Sequence, residues 1–314
     1  MRHVIALDVG GTSMKAALVG EDGAVLHDAR RETGREGGPD AVVESLLAFA
    51  ADLRAHGARH LGAPALAAGV AVPGTVDEAT GTALYSANLG WRDVPLRALL
   101  AERLGMPVAL GHDVRTGGLA EGRAGAGRGA DRFLFVALGT GIAGAIGLAG
   151  GVEAGANGFA GEIGHIVVRP GGRPCPCGQT GCLERYASAA AVGTAWAEAS
   201  GRPDADAADC ARAVAAGDPD AARVWTEAVE ALADGLVTAL TLLDPGTLIV
   251  GGGLAEAGDV LFRPLGAAIE RRLTFQAAPV LLPAALGDGA GCLGAALLAQ
   301  DLLQHIPQTT EVRT

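Results

Sequence analysis

Basic side chains are in short supply: 24 Lys and Arg face 35 Asp and Glu, for a formal net charge of −11. That balance excludes a chain whose main partner is nucleic acid or an anionic membrane, because either needs a basic surface to offset phosphate charge. A small anionic ligand stays open, since a glycine-rich turn binds phosphate through backbone N–H groups even inside an acidic protein. No uninterrupted apolar stretch reaches the ~18–20 residues of a membrane helix. A strand-like run, VIALDVG from Val4, follows Met1 with no room for a signal peptide, so a cytoplasmic protein is expected. Five cysteines in 314 residues are too few for a disulfide scaffold. Three of them, Cys175, Cys177 and Cys182, are clustered and read as metal ligands; Cys210 and Cys292 sit in small-residue runs and read as buried thiols.

Glycine, by contrast, is abundant, 49 of 314 residues, and marks the turns. Val4–Val9 alternates into Gly10-Gly11-Thr12, and an apolar strand pattern resumes from Met14. This is a hairpin whose tip carries Asp8, two glycines that admit an anion, the Thr12 hydroxyl and the Lys15 cation; an ordinary tight turn is the plainer alternative. No Walker motif is present. The same strand, glycine-threonine turn and strand recur at Leu138-Gly139-Thr140-Gly141, as expected of two lobes of related topology. Thr247–Val250 runs into a third glycine tip, Gly251-Gly252-Gly253. Helices are expected after Pro39, over Pro95–Leu104, through Leu183–Ala199, from Pro219 to the stop at Asp244-Pro245-Gly246, and over Gly291–Leu303. The segment from Pro73 to Trp91 reads as loop, a ligand rim, and Glu121–Arg132 as an exposed turn.

Two stretches carry chemistry. Met106–Leu110 reads as a buried strand ending in Gly111-His112-Asp113, and an acid just past a strand's carboxyl end is either a helix N-cap or a ligand group. The second is GEIGHIVVRPGGRPCPCGQTGCLER, Gly161–Arg185. Three thiolates and the His165 imidazole match tetrahedral zinc in number and softness, with no open position, so the ion would be structural; incidental thiols or a redox pair are the alternatives. Closing that loop should gather Glu162, His165 and Glu184, whose carboxylates suit adjacent sugar hydroxyls; surface glutamates are the plainer alternative.

In their order along the chain, D-V-G-G-T at Asp8–Thr12, L-G-T-G at Leu138–Gly141, G-E-I-G-H at Gly161–His165 and C-P-C-G-Q-T-G-C-L-E at Cys175–Glu184 resemble the ROK family of bacterial sugar kinases, especially its glucokinases. The resemblance implies an α/β actin-like ATPase (ribonuclease H-like) fold: lobes 1–113 and 114–314 around a central cleft, a zinc loop at 161–185, and a last helix that packs back on the first lobe. It implies an ATP-dependent kinase acting on the 6-hydroxyl of a hexose, with glucose the leading sugar. The alternatives are N-acetylmannosamine, N-acetylglucosamine, fructose or allose as substrate, or a silent sugar-binding regulator. Carried over, Asp113 is the catalytic base. Asp8 holds Mg²⁺; Gly10, Gly11, Thr12, Lys15, Thr140 and Gly141 face the ATP phosphates, and Gly252 and Gly253 the adenosine. His112, Asp113, Glu162, His165 and Glu184 bind sugar, with Gly74 and Asn88 on the rim. His165, Cys175, Cys177 and Cys182 hold structural Zn²⁺. The family has Asn where this chain has His112. A homodimer or homotetramer is also implied. The family's repressors resemble the kinases with an added DNA-binding domain; here a strand pattern starts at once, with no helix-turn-helix and no basic patch, so no such domain is expected.

Overall fold

The computed structural model describes residues 1–305. Along the chain run β1 (His3–Val9), β2 (Ser13–Gly20), β3 (Val25–Glu32), α1 (Pro39–His60), β4 (Ala68–Val72), β5 (Thr75–Asp77), β6 (Thr82–Ser86), β7 (Trp91–Val94), α2 (Leu96–Leu104), β8 (Val108–His112) and α3 (Asp113–Ala124). Then come β9 (Arg132–Leu138), β10 (Ile142–Leu148), β11 (Gly151–Val152), α4 (Glu184–Ala187), α5 (Ala189–Ser200), α6 (Ala207–Ala215) and α7 (Pro219–Leu243). The last are β12 (Thr247–Gly251), α8 (Asp259–Glu270), β13 (Val280–Pro283) and α9 (Ala290–His305). Contacts divide the chain into two compact units, one of Met1–Ala120, Ala154–Phe159 and everything from Asp288, the other of Glu121–Glu153 and Ala160–Gly287.

The first unit is a sheet of order β3-β2-β1-β4-β8, in which β3, β2 and β1 are antiparallel and β1, β4 and β8 parallel. Both faces of its centre are covered, so the strands read as nearly continuous apolar runs. Alternation still sorts the side chains by size. Ile5, Leu7, Met14, Leu18, Val70 and Val72 face one core, shared with Leu46, Leu47 and Phe49 of α1 and Leu100 of α2. Val4, Ala6, Ala17, Val19 and Ala71 face the other, against Ala295, Ala296 and Ala299 of α9. Small residues on both sides let helix and sheet approach closely. At Gly69 the contact is closest: a Cβ there would overlap the carbonyl oxygen of Ala295.

The second unit repeats the plan. Its sheet order is β11-β10-β9-β12-β13, with β11, β10 and β9 antiparallel and β9, β12 and β13 parallel. The two glycine-threonine hairpins noted in the sequence are thus the same structural step in each unit. α7 supplies much of the core, burying Trp225, Val229, Leu232, Leu236 and Leu240. The Asp218 carboxylate caps its first turn, accepting from Asp220 N and Ala221 N, with Pro219 at the first helical position. The expected stop occurs at Asp244, which adopts a left-handed φ of 45°.

Three sequence-based expectations need correction. The segment after Pro73 is a three-stranded meander, β5-β6-β7, with Val76, Ala83 and Trp91 buried beneath it; its alternation is only three to five residues long, below what periodicity resolves. The helix expected over Leu183–Ala199 breaks at Ser188, whose hydroxyl accepts from Ala191 N and starts α5. The supposed exposed turn at Glu121 continues α3 to Ala124, and Glu121 itself is fully buried. Its carboxylate accepts from the backbone N–H groups of Ala126, Ala285 and Leu286. Among the described residues, no helix is long and apolar enough to cross a membrane.

Candidate active site

In parallel sheets, ligand groups collect where the strands end, because loops there are released together from one edge. In the first unit that edge carries Asp8, Gly74 and the His112-Asp113 pair, since Asp8 lies level with Ala71 and Val72 with His112. The tip at Gly10–Thr12 is braced from behind by the buried Thr33, whose hydroxyl donates to Gly10 O at 2.7 Å and whose amide donates to Thr12 O. Thr12 itself is exposed. Asn88 is exposed beside Gly11 and lines an open recess with Arg35, Glu36 and Pro39.

Asp8 is paired across the hairpin with Lys15. Burial pushes its carboxyl above the ordinary value of 3.8; Lys15 opposes this and the Asp288 carboxylate adds to it. Asp288, just before α9, takes the Lys15 ammonium and, at 2.7 Å, the Arg30 guanidinium. Gly291, in the first turn of α9, lies so near that a Cβ would strike the Asp8 carboxylate. A group raised in this way favours the folded state fully below its unfolded pKa, and that advantage is lost as pH rises through the folded pKa. At neutral pH the buried Asp8 therefore costs stability. Asp8→Asn is expected to raise the Tm of the ligand-free protein by roughly a few degrees at pH 7, with the gain vanishing toward pH ~3.5. Calorimetry at the two pH values checks it; a lower Tm at pH 7 contradicts it.

His112 and Asp113 sit where β8 becomes α3. The Asp113 Oδ1 accepts from Val114 N at 2.7 Å and lies 3.3 Å from His112 Nε2. The His112 ring is buried, and its Nδ1 accepts from Arg115 N at 3.4 Å. Burial, with the Arg115 cation beside it, pushes the imidazole down to about 3, so it is neutral. Both ring nitrogens thus face protein partners. Behind them lies a charged network that sequence reasoning missed. Arg115 is 1% exposed, and its Nε donates to Glu78 Oε1 at 2.9 Å and its Nη1 to Gly158 O at 2.9 Å. Glu78 Oε1 also accepts from His112 N. Only the i, i+3 spacing of His112 and Arg115 hinted at this; Glu78 is 37 residues away in sequence.

In the second unit, the exposed Thr140 lies at the β9–β10 tip, closed by Gly139 N donating to Gly141 O. Gly252 and Gly253 follow β12 at the same sheet edge. Gly252 has φ +84°, and a Cβ there would press into the backbone of Leu138, so glycine is what lets the two tips touch. Beyond Gly253 is a cavity of about 390 Å³ whose walls are the alanine face of α6, Arg212, Trp225 and Glu256.

The Gly161–Arg185 stretch packs against the start of β10. Gly164 lies against the Ile142 carbonyl, and Glu184 Oε2 accepts from Ile142 N at 2.9 Å, so residues on both sides of the cysteine loop meet β10 at the same residue. Glu162 O accepts from His165 N in the short turn between them. The loop returns on itself through Cys175 N to Gln179 O and bridges at Val167–Cys182 and Pro174–Thr180. His165, Cys175, Cys177 and Cys182 converge, with ligand atoms all within 4.8 Å of one another. Cys175 Sγ is 3.7 Å from His165 Nδ1, and Cys177 Sγ is 3.7 Å from Cys182 Sγ. A tetrahedral ion ~2.3 Å from each sulfur sets ligand edges of roughly 3.8 Å, so the four donors fit a metal ion.

Comparison with known proteins gives these features a family. The ROK family model matches residues 4–302. The glucokinase of Halalkalibacterium halodurans is 34% identical over 319 residues, covering 95% of each chain, and the N-acetylmannosamine kinase of Shigella flexneri 31% identical, covering 95% of this chain and 98% of its own. A ROK hexokinase from Thermus thermophilus has TM-score 0.85 at 35% identity, covering 96% of this chain and 99% of its own. A ROK family glucokinase from Streptomyces griseus, solved with glucose and AMPPNP, has TM-score 0.80 at 31% identity, covering 95% and 99%. These likenesses define an actin-like ATPase fold of the sugar-kinase class. The chain belongs to the ROK family.

Proposed function

We propose that the protein transfers the γ-phosphoryl group of ATP to the 6-hydroxyl of a hexose, with glucose as the leading substrate. The observation that carries this reading is the likeness to the Streptomyces griseus glucokinase, solved with glucose and AMPPNP, together with an aspartate at the β8–α3 junction. In this reading, the Asp113 carboxylate accepts the hydroxyl proton as the new O–P bond forms and the bond from the γ-phosphorus to the ADP oxygen breaks. Such transfer depends mainly on positioning and charge neutralisation, so one carboxylate in reach is enough. Asp8 would hold Mg²⁺. The tips at Gly10–Thr12 and Thr140–Gly141, with Lys15, would receive the phosphates. Gly252 and Gly253 would meet the adenosine, whose flat base suits the small-residue wall of α6 in the adjoining cavity.

Glu162, His165 and Glu184 would accept and donate hydrogen bonds at sugar hydroxyls, with His112, Gly74 and Asn88 near the rim. Zinc, held by His165, Cys175, Cys177 and Cys182, would fix the ring of His165 through Nδ1 and leave Nε2 directed at the sugar. The substrates and the thiolate-rich site suit the cytoplasm, and the family reading carries a homodimer or homotetramer.

A different sugar is the second reading, favoured by the N-acetylmannosamine kinase relative and by His112 in place of Asn. A coupled ADP-release assay against glucose, N-acetylmannosamine, N-acetylglucosamine, fructose and allose decides. Glucose is expected to give the highest kcat/KM. Tight sugar binding without turnover would instead make the protein a sugar sensor.

A further inference from the structure

Two cations and two carboxylates lie together in the first unit, and they do not pair one to one. Asp8, Lys15 and Arg30 stand at one level on successive strands, Asp8 opposite Lys15 across β1 and β2, and Lys15 opposite Arg30 across β2 and β3. Directly opposed residues of an antiparallel pair have Cβ atoms ~5 Å apart, within a lysine's reach, so strand pairing alone predicts an Asp8–Lys15 ion pair. The structure shows a different arrangement. The Lys15 ammonium donates to Asp288 Oδ1 and, at 3.1 Å, to the Asp288 main-chain oxygen, while Asp288 Oδ2 accepts from Arg30 Nη2 at 2.7 Å. Asp288 thus takes both cations, and among the described residues Asp8 has no ion-pair partner.

The division runs against simple electrostatics, because Asp288 is exposed and Asp8 is the more buried of the two. A desolvated carboxylate gains most from a counter-charge. The neighbouring Cys292 supplies none: its thiol is pushed up to about 12, first by burial and then by the Asp8 charge. A carboxylate left without a protein cation suits a small divalent cation, which prefers oxygen donors. We propose that Asp288 is a positioning residue: by holding the Lys15 ammonium, with Arg30 bracing its other oxygen, it keeps Lys15 off Asp8 and leaves that carboxylate to a divalent cation. The hold does not depend on the side chain alone. One acceptor is a main-chain oxygen just before α9, which cannot swing away as a carboxylate can, and the two cations do not compete because each has its own carboxylate oxygen. An exposed ion pair adds little to folding stability, and the Asp288 side chain is 67% exposed, so its removal should leave the fold intact and release Lys15.

The proposal rests on the reading of Asp8 as the Mg²⁺ holder. Its test compares Asp288→Ala with the double variant Asp288→Ala/Lys15→Met. The quantity read by calorimetry is the factor by which Mg²⁺ tightens AMPPNP binding, a ratio that cancels what either substitution does to the nucleotide alone. In Asp288→Ala, Lys15 turns onto Asp8, and the factor is expected to fall about 5- to 50-fold. Lys15→Met in the same chain removes the rival cation, and the factor should return to within about threefold of the parent's. An unchanged factor in Asp288→Ala, or no recovery in the double variant, overturns the positioning role. A crystal structure of Asp288→Ala tests it without nucleotide: Lys15 Nζ is expected within ~4 Å of an Asp8 carboxylate oxygen, and an ammonium that stays away overturns it. A parent that binds AMPPNP with no response to Mg²⁺ overturns Asp8 as the metal holder and the proposal with it. A parent that binds no AMPPNP overturns the kinase reading instead, and the crystal structure still decides where Lys15 goes.

Discussion

Asp113→Asn is expected to cut phosphoryl transfer by about 10³-fold or more while sugar affinity stays within about threefold. The substitution is nearly isosteric, and the contacts that hold the side chain are ones an amide oxygen can keep: acceptance from Val114 N at 2.7 Å and the approach of His112 Nε2 at 3.3 Å. What the amide cannot do is take a proton. Folding should be little disturbed, because α3 starts in the same way and the Glu78–Arg115 network behind it is untouched. The check is kcat from the coupled assay beside sugar affinity from calorimetry. Turnover close to the parent's would remove Asp113 as the base and leave it an acidic residue of the first turn of α3.

Removing one of the four converging donors should have the second large effect. Cys182 is fully buried, and its thiol is pushed up to about 12, first by burial and then by hydrogen bonds with Cys177 and Cys175. In the zinc reading, a bound ion would hold the cysteines as thiolates and tie the loop together. Elemental analysis of the unmodified protein should find about one zinc per chain. Cys182→Ala should hold almost none, lose roughly 10 °C or more in Tm, and lose most activity, since the loop carries His165 and sets Glu184 on Ile142 N. Cys210→Ala is the control: its thiol is buried in α6 beside the Ala221 carbonyl and takes no part in the cluster. Full zinc in Cys182→Ala would show that the four residues do not form the site.

How much of this was legible beforehand depended on the range of the interaction. The two hairpins, α7 with its stop at Asp244 and the cysteine cluster are encoded by neighbours: alternation, an Asp-Pro start, and three thiols within eight residues. Local chemistry decided them, and the sequence displays local chemistry. Glu121 was misread because its partners, Ala285 and Leu286, lie 164 and 165 residues away, and a charged residue in a glycine- and arginine-rich run looks solvated. Glu78, Arg115 and Asp288 were missed for the same reason. Each satisfies its charge against a group that only the fold brings near. The helices α6 and α8 were also unassigned; the alanine-rich α6 offers little apolar contrast to reveal a period, although the reciprocal Asp206–Asp209 capping box at its start was a readable signal.

The placement of α9 has a consequence for how the chain reaches its folded state. The first unit needs Ala295, Ala296 and Ala299 to cover one face of β1, β2 and β4, and these residues come after the whole second unit in the chain. On a ribosome adding ~5–20 residues per second, the strands up to Ala120 therefore wait roughly 10–30 s before their cover is made. During that interval a row of Val and Ala side chains on three finished strands is open to solvent, while the second unit, continuous but for Ala154–Phe159, can close as it emerges. The small size of those residues limits the apolar area left waiting. The feature that permits close packing in the finished molecule thus also keeps its half-made precursor less prone to aggregate.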